Sequence, residues 1–299
     1  AMYEIIIIGA GPAGISAGIY AVSRGKKTLL IEKNVVGGLI GKVSTVTHYA
    51  GVIEGETGVT LAERMKQQAE NAGVEIIYET VKQVELSNNI KKIYTGDAVY
   101  RTKKVIIANG MTPRKLGIRG ELELSGKGVG LNAAKDGKSY EGKHIYVVGG
   151  ADGAVKEALY LAKYAEQVTI IHFEETLGCI AEFKEKVSNT SNIELRLGSR
   201  LHAVYGVEQV ESLEISDEKT GSIETISDPG CGIFVYAGTI PNTELYTELQ
   251  LHNGFIPVNE NQETKIDGVY AAGDICEKQV RQVATAVSDG TIAAIRASM

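Results

Sequence analysis

The chain has 299 residues, more than a single domain usually contains, and 43% of them are apolar, which is ordinary for a globular protein. Its formal net charge of −6 provides no basic surface for nucleic acid, and its apolar runs reach only strand length, so no segment is expected to span a membrane. Ala1 and Met2 lead straight into the first predicted strand, so we expect no signal peptide and a cytoplasmic location.

The chain opens with a predicted strand, a glycine-rich turn and a helix. The apolar residues 5–8 precede the sequence Gly-Ala-Gly-Pro-Ala-Gly at residues 9–14, and a second apolar run, residues 28–31, ends at Glu32. In such a unit the backbone N–H groups at the helix start bind a pyrophosphate, and the acid after the second strand binds a ribose hydroxyl. The spacing therefore predicts a dinucleotide site near the N-terminus.

The same order of elements occurs twice along the chain. The first series continues with a predicted helix at 58–72, strands near 75–84, 90–95 and 98–100, and an apolar run at 105–107. The second series has a strand at 144–148, a helix at 155–164, a strand at 168–172, strands near 193–197, 201–207 and 209–215, and an apolar run at 233–235. This repeat predicts an α/β fold with two Rossmann-like domains, each a βαβ unit plus a β-meander.

The last segment, residues 239–299, is too short to form a third domain. It contains a strand-to-turn pattern that ends at Asp274, followed by a predicted helix over residues 282–297. We expect it to return to the first domain. The second domain, residues 114–238, is then inserted between two parts of the first, residues 1–113 and 239–299.

The second glycine-rich turn, Gly-Gly-Ala-Asp-Gly-Ala at residues 149–154, departs from the dinucleotide pattern. Ala151 stands where glycine normally lets the backbone approach the pyrophosphate. The strand that follows leads to Glu174 and Glu175, where an NADP site requires arginine for the 2′-phosphate. NADPH is therefore disfavoured. Two alternatives stay open, a working NADH site and a frame that is retained without a nucleotide.

The three cysteines, Cys179, Cys231 and Cys276, are far apart and odd in number, which argues against a disulfide framework. The five histidines are also scattered, so no metal site is predicted. An inert buried thiol is the expected state of a free cysteine. Cys276 is nevertheless a candidate catalytic thiol, because it lies two residues after Asp274, and Cys179 is a candidate to pair with it.

In combination these motifs resemble the low-molecular-weight thioredoxin reductases, which are FAD flavoproteins of the pyridine nucleotide-disulfide oxidoreductase superfamily. The similarity covers nearly the whole chain and includes residues 37–38, 108–110, 236–243, 273–274 and 281–282. The resemblance implies FAD at the first turn, with Asp274 at the ribityl or pyrophosphate region and the segment around Gln282 at the flavin ring. The residues that it assigns to FAD are Gly9, Gly11, Pro12, Ala13, Gly14, Glu32, Lys33, Gly38, Leu39, His48, Ala108, Asn109, Gly110, Gly273, Asp274, Arg281, Gln282 and Val283. The second nucleotide-like site comprises Gly149, Gly150, Asp152, Gly153 and Glu174.

Two departures from that family bear on function. Its redox Cys-x-x-Cys, expected between Gly130 and Asp136, is here Asn-Ala-Ala-Lys at residues 132–135. Without these thiols no proximal disulfide can accept electrons from the flavin. The arginine-rich NADPH motif is replaced by Phe-Glu-Glu at residues 173–175. NADPH-dependent reduction of thioredoxin is therefore not expected.

We accordingly predict an FAD-dependent oxidoreductase that works without pyridine nucleotide and passes electrons between a ferredoxin-like protein carrier, or a second flavin, and an acceptor. One alternative is an NADH-dependent flavin reductase or oxidase with a small acceptor. Another is a non-catalytic flavin-binding sensor or partner protein. A second FAD or NADH is possible at the second site. The expected partner is a redox carrier such as ferredoxin or a thioredoxin-like protein, and we also expect a homodimer.

Overall fold

Four consecutive isoleucines make the end of the first strand apolar on both faces, and such a strand fits only inside a sheet that is covered on both sides. The computed structural model describes residues 2–299. In chain order its strands and helices are β1 (Met2–Ile8), α1 (Pro12–Ser23), β2 (Thr28–Glu32), α2 (Gly58–Asn71), β3 (Glu75–Tyr78), β4 (Gln83–Glu85), β5 (Lys91–Tyr94), β6 (Val99–Ile107), β7 (Met111–Pro113), α3 (Ala133–Asp136), β8 (His144–Val148), α4 (Asp152–Leu161), β9 (Gln167–Ile171), α5 (Ala181–Ser188), β10 (Ile193–Arg196), β11 (Ser199–Gly206), β12 (Val210–Asp217), β13 (Ile223–Ser227), β14 (Gly232–Val235), β15 (Thr239–Pro241), β16 (Val269–Ala271) and α6 (Val283–Ala297).

The chain divides into two units. The first contains the residues up to Thr112 together with Ile240–Met299, and the second contains Pro113–Thr239. The two connecting strands, β7 and β15, pair with each other in a two-stranded sheet. No helix in the part of the chain that the structure describes is long and apolar enough to cross a membrane.

The first unit is built on one sheet in the order β3-β2-β1-β6-β5-β4, with β16 also paired to β6. Strands β3, β2, β1, β6 and β16 run parallel, and their register places Ile5 opposite both Thr28 and Lys104. Strands β4 and β5 add an antiparallel meander to the early part of β6. Since parallel strands end at the same edge of a sheet, the segments after β1, β2, β6 and β16 meet there.

The apolar residues of this sheet form a core on each of its faces. One core lies under α1, α2 and α6 and includes Ile5 and Ile7, while the other lies on the opposite face and includes Ile6 and Ile8. The alternation of neighbouring isoleucines between two cores explains why β1 tolerates no polar position in this run. It also fixes the register that carries the glycine turn to the sheet edge.

The second unit contains a four-stranded parallel sheet in the order β10-β9-β8-β14 and a separate antiparallel sheet of β11, β12 and β13. The predicted fold class, two Rossmann-like α/β domains, is therefore confirmed. Helix α4 begins at Asp152, three residues before the predicted start at 155, because helical geometry follows the glycine turn immediately. The carboxyl ends of β8 and β9 carry the second glycine turn and the Glu174–Glu175 pair.

Candidate functional site

The glycine turn after β1 is shaped by close backbone contacts. A Cβ added at Gly14 would lie 1.7 Å from the carbonyl oxygen of Gly9, so the turn closes only with glycine at this position. A Cβ added at Gly11 meets nothing nearer than Gly38 Cα at 3.9 Å. Space is therefore available at the start of α1, where Gly11 is the N-cap and Pro12 is the first helical residue. These are the requirements for a bound pyrophosphate.

Glu32 is buried at the end of β2 and holds two loops at the sheet edge. Its Oε2 accepts a hydrogen bond of 2.9 Å from the backbone N–H of Ala10, and its Oε1 accepts one of 2.9 Å from Asn34. The carbonyl of Ala10 in turn accepts from Gly37 N at 2.9 Å. The acid that the sequence assigns to a ribose hydroxyl therefore also anchors the glycine turn.

Asp274 lies in the turn after β16, beside the first turn of α1. A Cβ added at Gly273 would lie 2.9 Å from Ala13 Cβ, which shows how closely the two turns pack. Asp274 Oδ1 is buried and has no hydrogen-bond partner in the protein. Burial raises the pKa of this carboxyl, and the nearby charges of Lys278 and Arg281 lower it by less. A buried acceptor without a partner is costly, and a hydroxyl group of a bound dinucleotide is a partner that fits it.

Other residues assigned to FAD have structural contacts of their own. Asn109 accepts a hydrogen bond of 2.6 Å from the hydroxyl of Tyr246 and donates one of 3.1 Å to the carbonyl of Asn242. Arg281 donates to the carbonyls of Asp274 at 3.1 Å and Cys276 at 3.0 Å. Both side chains therefore hold loops at this edge of the sheet.

The remaining assigned residues lie around the same edge. Gln282 is exposed and is the N-cap of α6, which begins at Val283. His48 is exposed, with Nδ1 3.3 Å from Thr47 Oγ1. The others are the exposed Lys33 and Gly38, the half-buried Leu39 and Gly110, and the buried Ala108.

The second glycine turn is covered by its own unit. Gly178 N donates to the carbonyl of Gly150 at 2.9 Å, and Ile180 N donates to Asp152 Oδ1 at 2.8 Å. The buried ring of His172 lies against Gly150, where an added Cβ would be 2.4 Å from the ring. A loop and a ring thus pack directly on the turn for which the sequence left open either an NADH site or a frame without a nucleotide. Gly149 and Gly153 retain the turn and the helix start.

The two carboxylates after β9 have partners that the sequence argument did not foresee. Glu174 Oε2 accepts from His172 Nε2 at 3.1 Å, and Glu175 pairs with Lys219 at 3.1 Å. Arg200 lies over the ring of Phe173, with its guanidinium carbon 4.5 Å from the ring centre. The glutamate side chains are 56% and 63% exposed, so solvent and partners weaken their repulsion of a 2′-phosphate.

Residues 132–135, where the thioredoxin reductases have their redox cysteines, form the start of the short helix α3. Asn132 is the N-cap of α3, and its Oδ1 accepts a hydrogen bond of 2.9 Å from Lys135 N. The backbone N–H of Asn132 donates to Asp136 Oδ2 at 2.7 Å. Ala133 is buried. Helix capping therefore gives the side chain at position 132 a clear structural role.

The three cysteines form no disulfide within the described chain, and all are buried. Burial raises the pKa of Cys231 and of Cys276 to about 12, and it also raises the pKa of Cys179. At neutral pH these groups are thiols, whereas the nucleophile in disulfide exchange is the thiolate. Burial of the Cys276 thiol therefore fits the inert state expected of a free cysteine, and its catalytic role stays an untested prediction. Within residues 2–299, no group of His, Cys, Asp and Glu side chains is arranged to hold a metal ion.

Sequence reasoning missed Lys278 and Asp289, which form a largely buried ion pair next to the Asp274 turn. Asp289 lies inside α6, where a single acid in an amphipathic helix gives no local signal. It also missed the buried His172, because nothing in its flanking residues shows that the ring turns toward Gly150.

Comparison with known proteins gives the family. The model of the pyridine nucleotide-disulphide oxidoreductases matches residues 3–290. The chain belongs to this family. It is 39% identical over 302 residues to a thioredoxin reductase of Peptoclostridium acidaminophilum, an alignment that covers 99% of this chain and 96% of that protein.

Solved structures of thioredoxin reductases agree with this assignment. The crystal structure of Lactococcus lactis thioredoxin reductase superposes with a TM-score of 0.94 at 35% identity, covering 99% of this chain and 97% of that one. A ferredoxin-flavin thioredoxin reductase from Clostridium acetobutylicum has a TM-score of 0.54 at 28% identity, covering 99% and 96%. The resemblance inferred from the motifs is thus confirmed at the level of the family.

Proposed function

We propose that the first unit binds FAD and that the chain is a flavin-dependent oxidoreductase without NADPH–thioredoxin reductase activity. The observation that carries the FAD assignment is the buried Asp274 Oδ1, which has no partner in the protein. It lies beside the start of α1, where the glycine turn leaves space. Three features that fit a dinucleotide therefore occur at one sheet edge, the open turn, the buried Glu32 and the buried acceptor of Asp274.

The chain's own residues have distinct tasks in this proposal. Backbone N–H groups at the start of α1 bind the diphosphate, and the positive end of the helix dipole favours its charge. Glu32 keeps the turn in place through Ala10 N and accepts from a ribose hydroxyl. Asp274 accepts from a hydroxyl of the cofactor. Bound FAD supplies the capacity to take up and release electrons.

The electron donor in this proposal is a protein carrier of the ferredoxin type. Its support is the cysteine-free segment at residues 132–135 and the glycine turn on which His172 and Gly178 pack. One structural neighbour is named a ferredoxin-flavin thioredoxin reductase, and several relatives are named thioredoxin reductase. A thioredoxin-like acceptor is compatible with these names, but its reduction would have to proceed without the dithiol relay.

NADH dependence is the second candidate function. It is favoured by α4, which begins at Asp152 directly after the glycine turn and presents its N-terminus there. Ala151, the N-cap, uses no side chain to cap the helix. A nucleotide would have to displace the loop bonded to Gly150 and Asp152, so we expect weak NADH binding and still weaker NADPH binding.

Anaerobic reduction of the FAD-loaded protein tests the donor. We would follow flavin bleaching after addition of NADPH, NADH, or a chemically reduced ferredoxin, each at the same reducing equivalents. The proposal predicts fast bleaching by ferredoxin alone, whereas fast bleaching by NADH supports the second candidate. If none of the three donors bleaches the flavin, the result favours the alternative of a non-catalytic flavin-binding sensor or partner protein. The double variant Asn132→Cys/Lys135→Cys is the matched control. It should not gain NADPH-dependent thioredoxin reduction, because its second nucleotide-like site is the same as in the wild type.

A further inference from the structure

Lys278 and Asp289 form an ion pair next to the Asp274 turn, and neither residue belongs to the sequence motifs described above. Asp289 Oδ2 accepts a hydrogen bond of 3.0 Å from the backbone N–H of Gly273 and also pairs with the ammonium group of Lys278. The side chains of Lys278 and Asp289 are 16% and 13% exposed. A pair this far removed from solvent is costly to break from one side, because the remaining charge stays buried without a partner.

Helix α6 holds Asp289 in a fixed position relative to the first glycine turn. Gly290, the next residue, packs so closely on α1 that an added Cβ would lie 2.1 Å from the carbonyl oxygen of Ala13. Ser16 Oγ of α1 donates to the carbonyl of Val287 at 2.8 Å. Asp289 therefore connects α1, through α6, to the Gly273 turn.

The turn is fixed from its other side by Arg281, which donates to the carbonyls of Asp274 and Cys276 and lies 4.2 Å from the centre of the Phe255 ring. The backbone before and after Asp274 is therefore clamped by two charged side chains. Asp289 binds the N–H group before it and Arg281 binds the carbonyls after it. The side chain of Asp274 is left as the group of the turn whose buried oxygen has no partner.

From this arrangement we infer that Lys278 and Asp289 are positioning residues for the cofactor, a role that rests on the FAD site proposed above. Asp289 fixes Gly273 so that Asp274 keeps its place beside the start of α1. Lys278 neutralises Asp289, so that a second uncompensated carboxylate does not face a bound diphosphate. The cofactor-binding surface then includes one acid that contacts the cofactor, Asp274, and one acid that is neutralised by its partner, Asp289.

The test compares charge removal with charge conservation at position 278. Apoprotein would be titrated with FAD by flavin fluorescence for wild type, Lys278→Met, Lys278→Arg and the double variant Lys278→Met/Asp289→Asn. Thermal unfolding of each apoprotein gives a readout of structure that does not depend on the cofactor. Lys26→Met is the matched control, because it removes the more exposed Lys26–Glu4 pair at 3.6 Å in the same unit.

We expect Lys278→Met to weaken FAD binding by at least tenfold, Lys278→Arg to stay within about threefold of wild type, and the double variant to recover much of the loss, since neither partner then leaves a buried charge. Lys26→Met should bind FAD like wild type. Wild-type affinity in Lys278→Met would overturn the inference. So would a loss of affinity in Lys278→Met that Lys278→Arg shares, or one fully matched by a loss of apoprotein stability. Wild type that takes up no FAD would instead refute the proposed function and, with it, this role.

Discussion

Substitution of Asp274 by asparagine should change two properties of the protein in opposite directions. The carboxyl is the most informative group of the proposed site, because its Oδ1 is buried without a partner and burial raises its pKa. Asparagine keeps the shape of the side chain and removes its charge. We therefore expect Asp274→Asn to stabilise the apoprotein at neutral pH and to weaken FAD binding.

The size of each effect follows from the environment. The amide oxygen of asparagine stays buried without a partner, so the gain in stability comes only from removal of the charge. A charge costs more to bury than an amide, but Lys278 and Arg281 already compensate part of it, so we expect a gain of about 1 kcal/mol. A hydrogen bond to a charged group contributes about 1.5–3 kcal/mol, so FAD affinity should fall roughly 10- to 100-fold.

The pH dependence has a definite sign. The pKa of Asp274 is raised in the folded state, so the folded protein binds more protons at this carboxyl than the unfolded chain does. The carboxyl therefore destabilises the fold increasingly as the pH rises from the pKa of the unfolded chain to that of the folded protein. The gain from Asp274→Asn should therefore rise with pH and stay at its maximum at neutral pH and above. It should vanish toward pH 4, near the pKa of about 3.9 that aspartate has in unfolded chains.

Urea unfolding of the apoprotein between pH 4 and 8, together with FAD titration at pH 7, measures both effects. Asp97→Asn is the control, because Asp97 is exposed in the turn between β5 and β6. A less stable Asp274→Asn apoprotein at pH 7 would refute the argument from burial. An unchanged FAD affinity would refute the assignment of Asp274 to the cofactor.

Three further predictions concern other parts of the chain. Gly11→Val should leave the circular dichroism of the apoprotein unchanged and abolish FAD uptake, because the side chain fills the space left by the turn. Gly150→Ala should lower the free energy of unfolding of the second unit by about 1–3 kcal/mol, since its Cβ would overlap the His172 ring; an unchanged urea midpoint would contradict this. At pH 8 a disulfide reagent should label Cys231 and Cys276 slowly in the native protein and rapidly after unfolding, and fast native labelling would show that they are accessible.

Much of the proposed first site could be read from the sequence because its residues are local in the chain. The turn at residues 9–14 and Glu32 belong to one βαβ unit, and the isoleucines of β1 fix that unit at the sheet edge. Asp274 was assigned through the resemblance of its Gly-Asp turn. Its position beside α1 depends on the pairing of β16 with β6, a long-range contact that spacing alone does not give.

The second site shows what sequence spacing could not provide. Two adjacent glutamates predict repulsion of a phosphate, but the structure brings Lys219 to Glu175 from a turn more than forty residues away in sequence. The ring of His172 faces Gly150 because β9 carries it to the carboxyl edge next to β8. The role of Asp289 could not be predicted for a similar reason, because its partners, Gly273 and Lys278, follow β16 and lie outside α6. Ionic partners of this kind depend on tertiary packing.

The visible absorption spectrum of the purified or FAD-reconstituted chain tests the central claim most directly, because it gives both the identity and the number of bound flavins. Our account predicts a flavin spectrum with one FAD per chain, bound without a covalent link and released intact on denaturation. A colourless protein that takes up no FAD on reconstitution would contradict it.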